Sequence, residues 1–247
     1  MVAKEPEKLR LNRAIAATGI CSRRNADELI KNGRISVNGK PALDLAMHVD
    51  PLKDRIAVDG KPLYKKSYDY IVLYKPKGVV TTCDDEKGRR TVIDLLPGEL
   101  QHLKPVGRLD RDSEGMIILT NDGTLAQTLT HPSHHVEKTY RVTVEGHIED
   151  SALKAMREGV RLSEGITQKA EIRSLKRSGN LSTFVIVIRE GRNRQIRRMC
   201  AKVGYNVIRL VRERIGALQL NLKEPGEWRH LMASEVSLLS NSSKPPG

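Results

Sequence analysis

Gly107-Arg108-Leu109-Asp110-Arg111-Asp112-Ser113-Glu114-Gly115, followed by the apolar run Met116-Ile117-Ile118-Leu119-Thr120, is the stretch on which the fold turns. Acids at alternate positions ending on Gly115 match the first half of a calcium-binding loop, which would belong to a helix–loop–helix protein. Such a loop needs Glu at its twelfth position, where Asn121 stands. It also needs an entering helix, and Lys104-Pro105-Val106-Gly107 cannot end one. The stretch therefore reads as a polar loop that delivers the chain into a strand. Two readings of the loop stay open on local grounds. It is a plain turn between strands, or it is an active-site loop presenting Asp110 between flexible glycines. Loops held by strands are where catalytic groups concentrate.

Outward from this loop, strands are expected at 70–74, 116–120, 139–145, 170–176, 183–189 and 206–212. Short helices are expected at 91–96, 123–130, 150–158 and 192–203. Strands outnumber helices and short turns join many of them. This predicts an α+β domain over residues 68–238, a mixed and mostly antiparallel sheet flanked by short helices. Lys65-Lys66-Ser67 reads as a linker. Before it, residues 8–66 form a smaller helix, helix, small-sheet domain. A helix from Leu9 to Thr18 stops at Gly19, and Ser22 caps a second from Arg23 to Asn32 that stops at Gly33. The pair Asn38-Gly39 then turns a hairpin. Residues 1–7 and 240–247 read as disordered tails.

Composition narrows the partners. Of the 247 residues, 38% are hydrophobic and 30% charged, enough for a real core. That core is aliphatic, because the chain has one Phe, one Trp and six Tyr. No apolar run approaches the ~20 residues of a membrane helix, and Met-Val-Ala-Lys-Glu-Pro-Glu-Lys lacks the apolar stretch of a secretory signal. A cytoplasmic protein with no membrane partner is expected. The three cysteines, Cys21, Cys83 and Cys200, are far apart, which argues against a disulfide framework or a cysteine zinc site. The formal net charge is +13. Residues 1–66 carry +6 of it and residues 189–214 carry +7, leaving the rest neutral. Two segregated basic segments on a balanced chain point to a polyanion.

The second basic segment contains Gly191-Arg192-Asn193-Arg194-Gln195-Ile196-Arg197-Arg198-Met199-Cys200, a glycine turn leading into a helix. Arginines in the first turns of a helix oppose its dipole, so something negative must offset them. RNA phosphate is one candidate and a carboxylate of the chain itself is another.

Five ordered motifs then carry a resemblance. They are Lys75-Pro76-Lys77-Gly78, Gly107-Arg108-Leu109-Asp110, Leu119-Thr120-Asn121-Asp122-Gly123, Lys138-Thr139-Tyr140 and Gly191 to Met199, with Gly226-Glu227-Trp228-Arg229 following late. Together they resemble the pseudouridine synthase family in its ribosomal-RNA branch, over about residues 8–237. Within that span, Leu11-Asn12-Arg13, Ser22 to Ala26, Gly33-Arg34-Ile35 and Val37-Asn38-Gly39-Lys40 resemble a small RNA-binding module named after a ribosomal small-subunit protein.

The resemblance implies roles. Asp110 matches the essential aspartate. Tyr140 matches the tyrosine that packs on the target uracil, and Arg197 the basic residue that pairs with the aspartate. Arg108 matches an arginine that fills the space left by the extruded base. Lys75 and Gly78 border the site. Arg192, Arg194, Gln195 and Arg198 are expected to face RNA, as are Arg13, Arg23, Arg24, Lys31 and Arg34 of the module. Isomerising uridine needs no redox cofactor, metal or nucleotide, and neither a phosphate-binding GxxxxGK[ST] loop nor a paired-histidine motif occurs. The expected partner is ribosomal RNA or a precursor ribosomal particle, large subunit favoured, met by a monomer. A non-catalytic RNA-binding assembly factor on the same fold is the alternative; intact Asp110, Tyr140 and Arg197 weigh against it.

Overall fold

The computed structural model describes residues 8–51, 53–63 and 68–241. The chain divides into two compact units between residues 67 and 68. The expected linker 65–67 and the tail segments 1–7 and 242–247 lie outside the described residues.

In the first unit, β1 (Leu9–Arg10) leads into α1 (Leu11–Ala17), and α2 (Arg23–Lys31) follows. The short strands β2 (Ile35–Val37), β3 (Lys40–Pro41), β4 (His48–Val49), β5 (Ile56–Val58) and β6 (Lys61–Pro62) complete it. The first helix is shorter than its periodicity suggested, because Leu9 and Arg10 pair with Val49 and His48. The Ser22 hydroxyl accepts from the Asn25 amide at 3.2 Å, as an N-cap does. A four-stranded sheet runs β3-β2-β5-β6. Its hairpins turn on Asn38-Gly39 and Asp59-Gly60, all four residues left-handed, as a type I′ turn requires. Leu11, Ile15, Ala26, Ile30 and Ile35 form an aliphatic core.

The second unit is built on a sheet that holds nine strands among the described residues. Its strands are β7 (Tyr70–Lys75), β8 (Lys104–Val106), β9 (Glu114–Thr120), β10 (Lys138–Glu145), β13 (Glu171–Ser178), β14 (Leu181–Ile188), β15 (Val207–Ile215), β16 (Leu218–Gln219) and β17 (Trp228–His230). A separate hairpin joins β11 (Arg161–Leu162) to β12 (Gly165–Ile166). The helices are α3 (Gly123–Thr130), α4 (Asp150–Glu158), α5 (Gln195–Lys202) and α6 (Ala233–Asn241). The order is β13-β14-β10-β15-β9-β7-β17, with β16 beside β15 and β8 beside β9. The pairs are antiparallel except β9 with β15. The expected α+β architecture is therefore present. Sequence periodicity missed β8, β16 and β17, which are two or three residues long. It also assigned residues 240 and 241 to a tail, whereas they end α6, whose Leu239 is fully buried.

The parallel pair decides where the site lies. Glu114 and Gly115 sit beside Val211 and Arg212. A Cβ on Gly115 would stand 2.6 Å from the Arg212 amide nitrogen and closer still to its carbonyl oxygen. Only glycine fits, and its φ of +107° is one that other residues avoid. The end of the 107–115 loop is thus pinned to β15, the strand that α5 feeds. Helices α4 and α5 cover Val142, Val144, Phe184 and Ile186 on one core, while Ile71, Leu73, Ile117 and Leu119 anchor another.

Candidate active site

The 107–115 loop is held from below. Lys75 ends β7 with no exposed surface, and its ammonium donates to the carbonyls of Ser113 at 2.7 Å and Pro76 at 3.0 Å, with Arg111 at 3.5 Å. Burial pulls this amine down to about 8, against the opposing pull of Asp110, Asp112 and Glu114. The Gly78 amide donates to the Arg111 carbonyl at 2.7 Å, and the Arg111 side chain returns a bond to the Gly78 carbonyl at 3.2 Å. The Thr81 hydroxyl accepts from the Leu109 amide and donates to the Leu109 carbonyl. Lys75-Pro76-Lys77-Gly78 is therefore a clamp for the loop, a role its sequence did not reveal.

Within the clamp Leu109 is buried, Arg108 is exposed and Asp110 is half-buried. The Asp110 carbonyl closes a turn with the Ser113 amide at 3.0 Å. The carboxylate makes no hydrogen bond or ion pair among the described residues. Asp110 lines a cleft of about 310 Å³ together with Arg108, Tyr140, Arg194 and Gln195. Tyr140 enters from β10, where it stands between Ile186 of β14 and Arg212 of β15. It is buried and packs in the same core as Leu109. The fold thus brings Arg108 and Asp110 to one cleft with Tyr140, which lies 30 residues beyond Asp110.

The arginines of α5 behave differently from their expected roles. Arg197, only 12% exposed, reaches Asp112 and not Asp110. It donates to the Asp112 carbonyl at 2.7 Å and the Val207 carbonyl at 2.9 Å, and its Nε lies 3.3 Å from the Asp112 carboxylate without the alignment of a hydrogen bond. Arg194 grips the same carboxylate with two bonds of 2.8 Å. Together these cations hold the Asp112 carboxyl below its ordinary range. Arg192 bonds Glu190 and the carbonyls of Gly165 and Ile166. Arg198 bonds Glu164 and Ser163. Gln195 is buried and donates to Glu190 at 2.6 Å. Arg192, Gln195 and Arg198, expected to face RNA, are thus engaged within the protein. The negative groups that offset this helix start are carboxylates of the chain.

In the first unit Arg13, Arg23, Arg24, Lys31 and Arg34 are all exposed. Arg34 is paired with Asp59, and Lys31 lies 3.6 Å from Glu28. Residues that sequence reasoning passed over are Asp112, which gathers two arginines, and Arg212, buried with its Nε bonded to the Met116 carbonyl at 2.8 Å. Asp112 stood within the quoted loop, but nothing local set it apart from Asp110.

Residues 69–202 match the family model described as RNA pseudouridylate synthase, and residues 9–56 match the S4 domain. The ribosomal large subunit pseudouridine synthase B of Bacillus subtilis is 41% identical over 232 residues, covering 93% of this chain and 95% of that protein. An RNA pseudouridine synthase of Aquifex aeolicus is 36% identical over 233 residues, covering 94% of each chain. A crystal structure of a pseudouridylate synthase superposes with a TM-score of 0.65 at 32% identity, covering 94% of this chain and 99% of that one.

Proposed function

This chain belongs to the RNA pseudouridylate synthase family and carries an S4 domain ahead of its synthase domain, and from that premise we propose that it converts uridine to pseudouridine in ribosomal RNA, large-subunit RNA being favoured. The similarity to the Bacillus subtilis large-subunit enzyme supports that choice of RNA. The observation that carries the reading is the cleft where the unpaired carboxylate of Asp110 meets Tyr140 and Arg108.

The reaction breaks the bond between the ribose C1′ and the uracil N1. It then joins C1′ to C5, and as C5 gives up its proton N1 takes one up. No electrons leave or enter, so a carboxylate and proton carriers suffice. In this reading Asp110 attacks the sugar or the ring. A carboxylate free of arginine partners keeps its lone pairs for that purpose. Tyr140 packs on the flipped uracil and takes the proton from C5, and Arg108 fills the vacated space in the RNA stack. Arg197 acts through Asp112, as a positioning residue for the loop. The module's exposed cations hold the RNA backbone, without reading its sequence. The protein works as a monomer in the cytoplasm, on ribosomal RNA or a precursor particle.

The test is the Asp110→Ala variant, assayed for pseudouridine on ribosomal RNA and for RNA affinity. Isomerisation should vanish while affinity stays within a few-fold of wild type. A variant that still forms pseudouridine would overturn the assignment. Mapping pseudouridine in ribosomal RNA from cells with and without the gene identifies the target: a site missing only in the deletion strain is the expected result.

A further inference from the structure

Beyond Tyr140 the cleft opens into a second chamber of about 760 Å³, which shares Arg108, Tyr140, Gly191 and Arg192 with the first. Its volume lies within the ~300–1,000 Å³ of ordinary ligand sites. Its cations differ from most arginines of the neighbouring 189–214 segment. Arg189, Arg192, Arg194, Arg197, Arg198 and Arg209 each have a carboxylate partner. Three cations on the chamber wall have none among the described residues: Arg108, Lys138 and Arg212.

Lys138 lies two residues before Tyr140 on β10, so both side chains leave the same face of the strand. Half-buried, its ammonium donates a 3.1 Å bond to the Val136 carbonyl. Arg212 stands beside Tyr140 across the strand pair and is only 3% exposed. Its guanidinium donates to the carbonyls of Met116 and Arg108, and one terminal nitrogen has no partner. Burial pulls the Lys138 amine down to about 8, and the charge of Arg212 adds to that pull. A half-buried ammonium and a buried guanidinium without a carboxylate partner destabilise the free protein. They are tolerable where an anion arrives with the substrate.

We propose that this chamber receives the RNA backbone beside the target uridine, and that Lys138 donates to a phosphodiester oxygen there while Arg212 supplies the standing positive field. The inference rests on the RNA-modifying reading above and adds a subsite to it. Lys138 would be a binding residue for the strand and not a participant in bond exchange.

The experiment compares wild type with Lys138→Met and Lys138→Arg on the ribosomal RNA fragment in which the wild type forms pseudouridine. Loss of one charge-assisted hydrogen bond predicts a KM raised roughly ten- to hundredfold in Lys138→Met with kcat little changed. Lys138→Arg should restore KM to within a few-fold. Without RNA, Lys138→Met should melt at or above the wild-type temperature, since it removes a half-buried charge that has no carboxylate partner. A scan of single neutral methylphosphonate linkages around the target should find one position that weakens the wild type by the same factor and leaves Lys138→Met unaffected. Three results would overturn the subsite while leaving the wild-type reaction standing. They are a wild-type KM in Lys138→Met, a fall in melting temperature that accompanies the KM change and is not rescued by arginine, and equal methylphosphonate penalties in both proteins. A wild type that forms no pseudouridine overturns the subsite and the parent reading together.

Discussion

Lys75 shows how much one side chain can hold. Its ammonium bridges the carbonyls of Pro76 and Ser113 beneath Asp110, and burial keeps it near 8 instead of the ordinary lysine value of 10.5. The sign of the linked stability follows. Between about pH 8 and 10.5 the unfolded chain keeps this proton and the folded chain has released it, so stability rises with pH across that window. The slope attributable to one such group is at most about 1.4 kcal/mol per pH unit. Urea unfolding of wild type and Lys75→Met at pH 8 and pH 10 should show the wild type gaining on the variant at the higher pH; parallel curves would remove the linkage. Gly115 is the second residue on which the site depends. Gly115→Ala must take a left-handed backbone and meet Arg212, and should cost about 3 kcal/mol by urea unfolding. Gly39→Ala, where nothing lies within 4 Å of the added carbon, should cost only about 1–2 kcal/mol. The motif glycines were visible in the sequence, but the difference between these two was not. It depends on Arg212, which comes 97 residues later.

At the scale of elements, the start of α5 is the informative case. The arginines there were legible as a conflict with the helix dipole, and the conflict correctly demanded negative partners. Which partners was not legible. Asp112 and Arg194 lie 82 residues apart, and Arg197 is 85 from Asp112. The helix also begins later than its pattern suggested, at Gln195, because Arg194 takes a left-handed φ of 48° while it holds Asp112. Asp112 is thus the joint between the loop and the helix. Asp112→Asn should strand the buried Arg197 without a counter-charge and let the loop shift. A misplacement of about 1 Å can cost about 100-fold, so kcat should fall roughly 10- to 100-fold with little change in KM, measured on ribosomal RNA. Arg194→Gln removes a pair that is 45% exposed on the arginine side and should cost under about 1 kcal/mol of stability. A kcat unchanged in Asp112→Asn would show that the loop holds its place without the joint.

For the whole molecule, the charge map has to be redrawn. The excess over residues 189–214 is largely answered within the synthase unit, whereas Arg13, Arg23 and Arg24 on the first unit are exposed with no carboxylate partner among the described residues. The S4 unit should therefore supply more of the salt-sensitive RNA affinity than the bare charge count implied. Replacing Arg13, Arg23 and Arg24 by Gln should reduce the slope of log affinity against log salt by about 2–3, since each phosphate contact contributes about 0.7–0.9. An unchanged slope would take these cations off the RNA. The α+β class, the two-part order and the hairpin at Asn38-Gly39 were legible in the amino-acid sequence directly, and the candidacy of Asp110 through five motifs spread along the chain. The first three depend on residues within a few positions of one another, where turn chemistry and periodicity act directly. Only the folded structure decided that β9 pairs in parallel with β15, that Lys75 lies under the loop, and that Arg194 and Arg197 go to Asp112 and Arg198 to Glu164. Those outcomes are competitions among many equivalent charges and strands, and only burial and the closing of distant segments selects among them.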